Sequence, residues 1–204
     1  MKKRFSLAMA LLFLLVSACA PVTAPAATPT PGPTAAAPTT VVFADPVLEQ
    51  KVREAMDKPS GDITTAEAEA VTELRLNIEW QPQIPTETQI QNISGLEYFK
   101  NLEYLDLSFN GIRDISPLAG LTKLKDLSLG GNPIQDIAPL EALTNLLCLK
   151  LFNCEASDYS VLAKLSNLEF LMLDRTPFSD AGLLSGLTQL NWLSLSFTQV
   201  KDVS

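Results

Sequence analysis

The chain has 204 residues, of which 47% are hydrophobic and 19% charged, and this composition fits a folded protein of about one domain. It contains no histidine, which excludes a Ser-His-Asp triad, a Cys-His pair and a histidine-ligated zinc site. The net charge of −8 argues against nucleic acid as a partner, because the phosphate backbone would repel it. The sequence shows no phosphate-binding loop, Cys-x-x-Cys motif or acid–base carboxylate pair, so we predict a non-enzymatic protein without a cofactor or metal.

The N-terminus has the features of a secretory signal, which we predict over residues 1–18. Three cationic residues precede an apolar run over residues 5–16, which is shorter than the roughly 20 residues that span a membrane. The run ends in Val16-Ser17-Ala18-Cys19, which resembles a bacterial lipobox. The resemblance implies cleavage before Cys19, attachment of lipid to that residue, and a membrane-anchored lipoprotein on the bacterial surface. Two alternatives are ordinary secretion, with Ala18-Cys19-Ala20 as an A-x-A cleavage site, and an uncleaved anchor.

Residues 19–42 are predicted to form a disordered linker that begins at the lipidated cysteine. Positions 21–40 contain six Pro, six Thr and six Ala, a composition that cannot build a hydrophobic core. Proline favours the polyproline II conformation, which rises about 3.1 Å per residue, so this segment could reach about 60 Å. It is therefore either a stalk that lifts a domain from the membrane or a passive spacer.

Residues 43–70 are predicted to form a helical cap. A first helix over Asp45–Met56 follows from apolar residues at helical spacing, with Asp45 as the N-cap and Pro46 in the first turn. A second short helix over residues 66–71 follows Thr64 and Glu67, which form a capping box. A cap is expected because the first unit of the array described next would otherwise expose its apolar edge to water.

Residues 71–204 are predicted to be a repeat array whose last unit is incomplete. The chain contains 34 leucines, of which 26 lie at or after Leu96. Aligned from Leu102, the units recur with a period of 22 residues. Three leucine columns are predicted to face inward, and they consist of Leu102, Leu124, Leu146, Leu168 and Leu190, then Leu105, Leu127, Leu149, Leu171 and Leu193, then Leu107, Leu129, Leu151, Leu173 and Leu195.

These units share the motif L-x-x-L-x-L-x-x-N-x-L, and with it the chain resembles the leucine-rich repeat family. Residues 110–118 and 71–76 are similar to the internalin-like class of that family, which has 22-residue units. The resemblance implies an α/β fold, a right-handed solenoid with a parallel β-sheet on the concave side and 3₁₀ turns on the convex side. It permits a role in host adhesion without establishing it, because fold alone does not define function. Since no terminal cap is visible, we expect a fragment of a longer surface protein, or alternatively an end that docks on another chain.

A polar column follows the strands and holds Asn110, Asn132, Cys154, Thr176 and Thr198. A buried asparagine amide at this point can bond loop carbonyl and N–H groups that would otherwise stay unpaired. Cysteine and threonine can satisfy fewer partners, so looser loops are expected after Leu151, Leu173 and Leu195. Cys148 should point outward and Cys154 inward, so we expect two free thiols instead of a disulfide.

A second polar column holds Asp114, Asp136, Asp158, Asp180 and Asp202, with Asn92 before them. Stacked carboxylates could bind calcium. We favour the alternative that each Asp accepts a hydrogen bond from backbone N–H groups at the start of a 3₁₀ turn.

The outward strand positions define a predicted binding face on the concave side. Aromatic and apolar residues there are expected on an exposed surface, and such a patch often marks an interface. The predicted partner-binding residues are Tyr104, Asp106, Asp126, Lys150, Phe152, Phe170, Met172, Asp174, Arg175 and Trp192. This pattern predicts non-catalytic binding of a protein or other macromolecule. The alternatives are that the aromatic residues only pack on neighbouring strands, and that the domain is a structural or envelope-assembly spacer without a specific ligand.

An insertion interrupts the period between Leu76 and Ile90, and it includes Trp80. Insertions in solenoids leave the array as surface loops. Trp80 could anchor a partner there, or it could fold back and plug its own loop.

Overall fold

The computed structural model describes residues 39–201. The predicted signal peptide, the predicted lipidation site Cys19 and Asp202 of the aspartate column lie outside these residues. Within residues 39–201, no helix is long and apolar enough to cross a lipid bilayer.

Within residues 39–201, six short parallel strands form one open sheet in chain order, so the predicted solenoid is confirmed. From the second strand to the sixth, neighbouring strands pair with an offset of 22 residues, as in the pairing of Leu105 with Leu127. Side chains at equivalent positions of successive units therefore stack on one another, about 4.8 Å apart. The strands are β1 Glu73–Arg75, β2 Tyr104–Asp106, β3 Asp126–Ser128, β4 Cys148–Lys150, β5 Phe170–Met172 and β6 Trp192–Ser194.

Short 3₁₀ helices connect the strands, as the resemblance implied. Each is only one or two turns long because a 22-residue unit must return to the sheet within the spacing of one strand. They span Thr86–Thr88, Leu96–Tyr98, Ser116–Leu118, Ala138–Ala142, Ser160–Lys164 and Ala181–Leu184.

The core is a stack of leucine columns between the sheet and the 3₁₀ helices. Leu105, Leu127, Leu149 and Leu171 have no exposed surface, because the next unit covers each strand. The equivalent Leu193 in the last unit is 40% exposed. Its exposure follows from the absence of a following unit among residues 39–201.

Among the described residues, two helices cover the N-terminal edge of the array, close to their predicted bounds. Helix α1 spans Pro46–Ala55 and helix α2 spans Thr65–Glu69, where Thr64 and Glu67 form the predicted capping box. The extended segment before α1 also belongs to this edge: the Val41 N–H donates to the Ile63 carbonyl at 2.8 Å, and the Val41 side chain is buried. Val41 falls within the predicted linker over residues 19–42, but it packs against the cap.

Asp45 joins the cap to the first full repeat. One carboxylate oxygen accepts from the backbone N–H groups of Val47 and Leu48 at 2.8 and 3.3 Å, which caps α1. The other oxygen accepts from the N–H groups of Gln91 and Asn92 at 2.7 and 3.1 Å. Burial by itself would raise the pKa of Asp45, but the four N–H donors outweigh it and hold the pKa below its ordinary value.

We expect Asp45→Asn to lower the free energy of unfolding by about 2 kcal/mol at neutral pH, because the new amide group faces N–H donors and the negative charge is lost. Since the folded-state pKa of Asp45 is lowered, its contribution is complete above the unfolded-state pKa of about 3.9 and is lost as the pH falls through the folded value. Denaturant unfolding of both proteins from about pH 7 to about pH 2 should show the difference shrinking in acid. A difference that stays constant over this range would contradict the assignment.

Candidate binding site on the sheet face

The outward side chains of the six strands form two columns, which we call the sheet face. Strand pairing places these residues side by side, in the predicted register. The first column is Glu73, Tyr104, Asp126, Cys148, Phe170 and Trp192, and the second is Arg75, Asp106, Ser128, Lys150, Met172 and Ser194.

The end of the sheet face near β5 and β6 is apolar. The rings of Phe170 and Trp192 stack with their centroids 4.0 Å apart and their planes 5° from parallel. Trp192 is 42% exposed, whereas Phe170 and Met172 are half-buried. The Lys150 ammonium lies 5.9 Å from the Phe170 ring centroid. The outward strand positions predict an exposed surface for these side chains, but packing across the strands covers part of each.

The other end of the sheet face is polar and mostly acidic. The Arg75 guanidinium lies 4.6 Å from the centre of the Tyr104 ring. Burial raises the pKa of Tyr104, and the charge of Asp106 adds to this effect. Asp126 lies 3.9 Å from the Lys150 ammonium, and its buried Oδ1 has no hydrogen-bond partner among residues 39–201.

Three of the predicted binding residues, Phe152, Asp174 and Arg175, lie at the exit edge, where the chain leaves the strands, as their position in the repeat predicts. Phe152 crosses Gly130, at which a Cβ atom would come within 2.1 Å of the ring. Its ring also packs on Phe109 at a centroid distance of 5.3 Å. Asp174 accepts from the Ser194 hydroxyl and from the Ser196 N–H, and Arg175 lies 4.9 Å over the Phe197 ring. These contacts link successive units, and the Ser194 hydroxyl that bonds Asp174 belongs to the second column of the sheet face.

The exit edge has a backbone feature that sequence reasoning missed. Five successive units place a residue in the left-handed region there, namely Phe109, Gly131, Asn153, Arg175 and Phe197, with φ of 59°, 71°, 55°, 57° and 60°. For a residue with a side chain this conformation costs about 1–2 kcal/mol. Ladder hydrogen bonds offset the cost, as in the bond from the Phe109 N–H to the Gly130 carbonyl at 2.9 Å. Only the Gly and the Asn gave a signal in the sequence.

Known proteins resemble this chain in sequence and structure. The leucine-rich repeat model matches residues 101–121. The crystal structure of an internalin from Listeria monocytogenes is 38% identical with a TM-score of 0.74, and the match covers 83% of this chain and 48% of the internalin. The fold is a leucine-rich repeat solenoid. The matched part of the solenoid spans about half the length of that internalin.

Two further structures match the leucine-rich repeat chain less closely. An internalin C2 of Listeria monocytogenes is 28% identical with a TM-score of 0.44, over 83% of this chain and 92% of that one. A leucine-rich repeat protein of Leptospira interrogans is 23% identical with a TM-score of 0.54, over 67% of this chain and 34% of that one. Among curated protein sequences there is no significant match.

The aspartate column of the leucine-rich repeat units has the structural role that we favoured. Oδ1 of Asp114, Asp136 and Asp158 each accepts from the backbone N–H two residues later at 2.8 Å, and Oδ1 of Asp180 does so at 3.0 Å. Asn92 makes the same bond to the Ser94 N–H at 2.8 Å. The Ser160 N–H bond lowers the pKa of Asp158. Each carboxylate is therefore oriented by its own turn.

In the part of the chain that the structure describes, the two cysteines of the β4 repeat, Cys148 and Cys154, are free thiols. Cys148 is half-buried on the sheet face, where burial and the nearby Asp126 carboxylate raise its pKa to about 11. Cys154 is buried in the polar column, and burial raises its pKa to about 12. Neither thiol has the low pKa of a reactive cysteine.

Proposed function

We propose that this chain is a bacterial surface lipoprotein whose leucine-rich repeat domain binds a protein or other macromolecule through the sheet face, without catalysis. The observation that carries the proposal is the stacked pair of Phe170 and Trp192, with Met172 beside it in the second column. Large aromatic side chains at the centre of an interface supply most of its binding energy. A spacer without a ligand would have no need for them on this face.

The charges beside the aromatic pair define the kind of partner that fits. Asp106 and Asp126 lie on the same face as the stack, and Lys150 lies between Asp126 and Phe170. A partner with an apolar group over Trp192 and a cationic group near the two carboxylates would match this face. The net charge of −8 likewise favours a basic partner surface over nucleic acid.

The proposed location rests on the N-terminal sequence. Cys19 follows a lipobox-like segment, and lipid on this residue would anchor the chain to a membrane. The segment over residues 21–40, rich in Pro, Thr and Ala, would separate the anchor from the repeat domain. Similarity to an internalin supports a role in surface binding.

We expect replacement of both Phe170 and Trp192 by Ala to abolish capture of the partner, because truncation of central aromatic residues typically costs 2 kcal/mol or more each. Trp192 is partly exposed and Phe170 half-buried, so the circular dichroism spectrum should be retained. The measurement is crosslinking on the native cell surface, followed by identification of captured proteins by mass spectrometry.

Leu147→Ala is the matched control, since Leu147 is also an exposed apolar residue at 38% but lies just before β4 and outside the two columns. The control should capture the same partner as the wild type. Capture that is unchanged in the double variant would refute a role for the sheet face and leave the spacer alternative.

A further inference from the structure

The insertion after β1 forms a surface loop that is fixed at both ends. At its start, the Ile78 N–H donates to the Ser108 carbonyl at 3.0 Å, which continues the sheet ladder beyond β1. At its end, the Ile90 N–H donates to the side-chain oxygen of Asn110 at 3.0 Å. Between them, the Gln89 side chain donates to the Ile84 carbonyl at 3.0 Å. Hydrogen bonds to the next repeat therefore fix both ends of the loop.

Trp80 lies in this loop, and the loop does not bury its side chain. Its side chain is 68% exposed, although a buried indole is the more common outcome for this residue. The loop and the exit edge border a shallow, open cleft of about 390 Å³. Trp80 and Phe109 supply its aromatic surface, and Gln81, Gln89, Asn153 and Glu155 supply polar side chains.

The lining indicates the chemistry of a ligand. Glutamine and asparagine both donate and accept hydrogen bonds, and the Glu155 carboxylate accepts them. No Lys or Arg is among the described residues that line the cleft, so the lining supplies no positive charge to attract an anionic ligand. An exposed indole face favours contact with a flat group that carries C–H bonds.

We propose that this cleft is a second binding site, separate from the sheet face, for a neutral carbohydrate. A pyranose ring presents an apolar face of C–H groups to Trp80 and a rim of hydroxyl groups to the amide and carboxylate side chains. A proline-rich peptide also binds aromatic grooves, but it needs a mainly apolar surface for its rings. The cleft is also lined by Pro82, Ile84 and Pro133, but its exposed surface is more polar than apolar, which favours the carbohydrate.

The test uses the indole N–H signals in the NMR spectrum of the isotope-labelled full chain. The chain has two Trp residues, so Trp80 reports on the cleft and Trp192 on the sheet face. Neutral hexasaccharides of glucose and of N-acetylglucosamine, each titrated to about 10 mM, would reveal weak binding with a Kd of about 1 mM. We expect at least one of them to shift the Trp80 signal and leave the Trp192 signal in place.

Two variants complete the test. Trp80→Ala should weaken hexasaccharide binding by about tenfold or more. Because this variant lacks the Trp80 indole signal, its binding is measured from backbone amide shifts around Phe109 and Asn153. Trp192→Ala should leave it unchanged, because Trp192 lies in the last strand and outside the cleft. No shift with any hexasaccharide, a shift only with a proline-rich peptide, or equal binding by Trp80→Ala would overturn the proposal. None of these results would bear on capture through Phe170 and Trp192.

Discussion

Asn132→Ala is expected to lower the free energy of unfolding by about 3 kcal/mol, because it removes several buried hydrogen bonds at once. Asn132 is 1% exposed. Its amide nitrogen donates to the carbonyls of Leu107 and Leu129 at 3.0 and 2.8 Å, and its oxygen accepts from the Ile112 N–H at 3.1 Å. Alanine cannot replace these bonds, and the buried backbone groups lose a partner in a place that water does not reach.

Two measurements distinguish the loss of the Asn132 hydrogen bonds from the loss of side-chain packing. Urea unfolding should show the loss of stability, and hydrogen exchange at the Ile112 amide should become faster than in the wild type. Thr176→Ala is the matched control at the same position of another unit, where the hydroxyl donates a single bond to the Leu173 carbonyl at 2.6 Å. Its expected cost is about 1 kcal/mol. Equal costs for the two variants would show that the asparagine network contributes no more than one bond.

Leu149→Ala is expected to destabilise the domain by about 3–4 kcal/mol, the usual cost of removing a fully buried leucine side chain and leaving a cavity. Leu149 has no exposed surface and lies in β4 between Leu127 and Leu171. The units on both sides are held by their own strand pairs, so they cannot collapse into the space that the side chain leaves. The midpoint of urea or thermal unfolding measures the effect.

Leu193→Ala tests whether the loss of stability depends on how deeply the leucine is buried in the array. Leu193 occupies the same column but is 40% exposed. Less apolar surface is removed from water there, so a cost of about 1 kcal/mol or less is expected. If Leu193→Ala were as destabilising as Leu149→Ala in the full chain, the exposed end of the array would have to be covered in solution.

Much of the fold follows from one number, the period of 22 residues. In a solenoid, equal positions of successive units share the same environment, so the spacing predicted the strand register and the burial of Leu105, Leu127, Leu149 and Leu171. Leu193 was predicted to face inward as well, but it is exposed because no following unit among residues 39–201 covers it. The cap was predictable for a local reason, because Asp45 and the pair Thr64 and Glu67 satisfy helix N–H groups within a few residues of themselves. The turn-forming role of the aspartate column is local in the same way.

For the candidate site, the sequence predicted which residues lie side by side on the sheet face, but not how their side chains pack. The register places Phe170 beside Trp192, but whether the two rings stack, and how much surface each leaves exposed, depends on side-chain packing across units. Asp174 was predicted as a binding residue, yet its carboxylate accepts two hydrogen bonds from the next unit. These outcomes depend on contacts 20 or more residues apart in the chain.

Spacing and local motifs in the sequence therefore determine the solenoid, its inward leucines and its cap, because each depends on periodicity or on groups a few residues apart. The left-handed backbone of Phe109, Arg175 and Phe197 has no such local cause. There, ladder bonds between units impose a conformation that these residues disfavour on their own. The exposed position of Trp80 likewise depends on how the array holds both ends of its loop. Only long-range packing supplies that information.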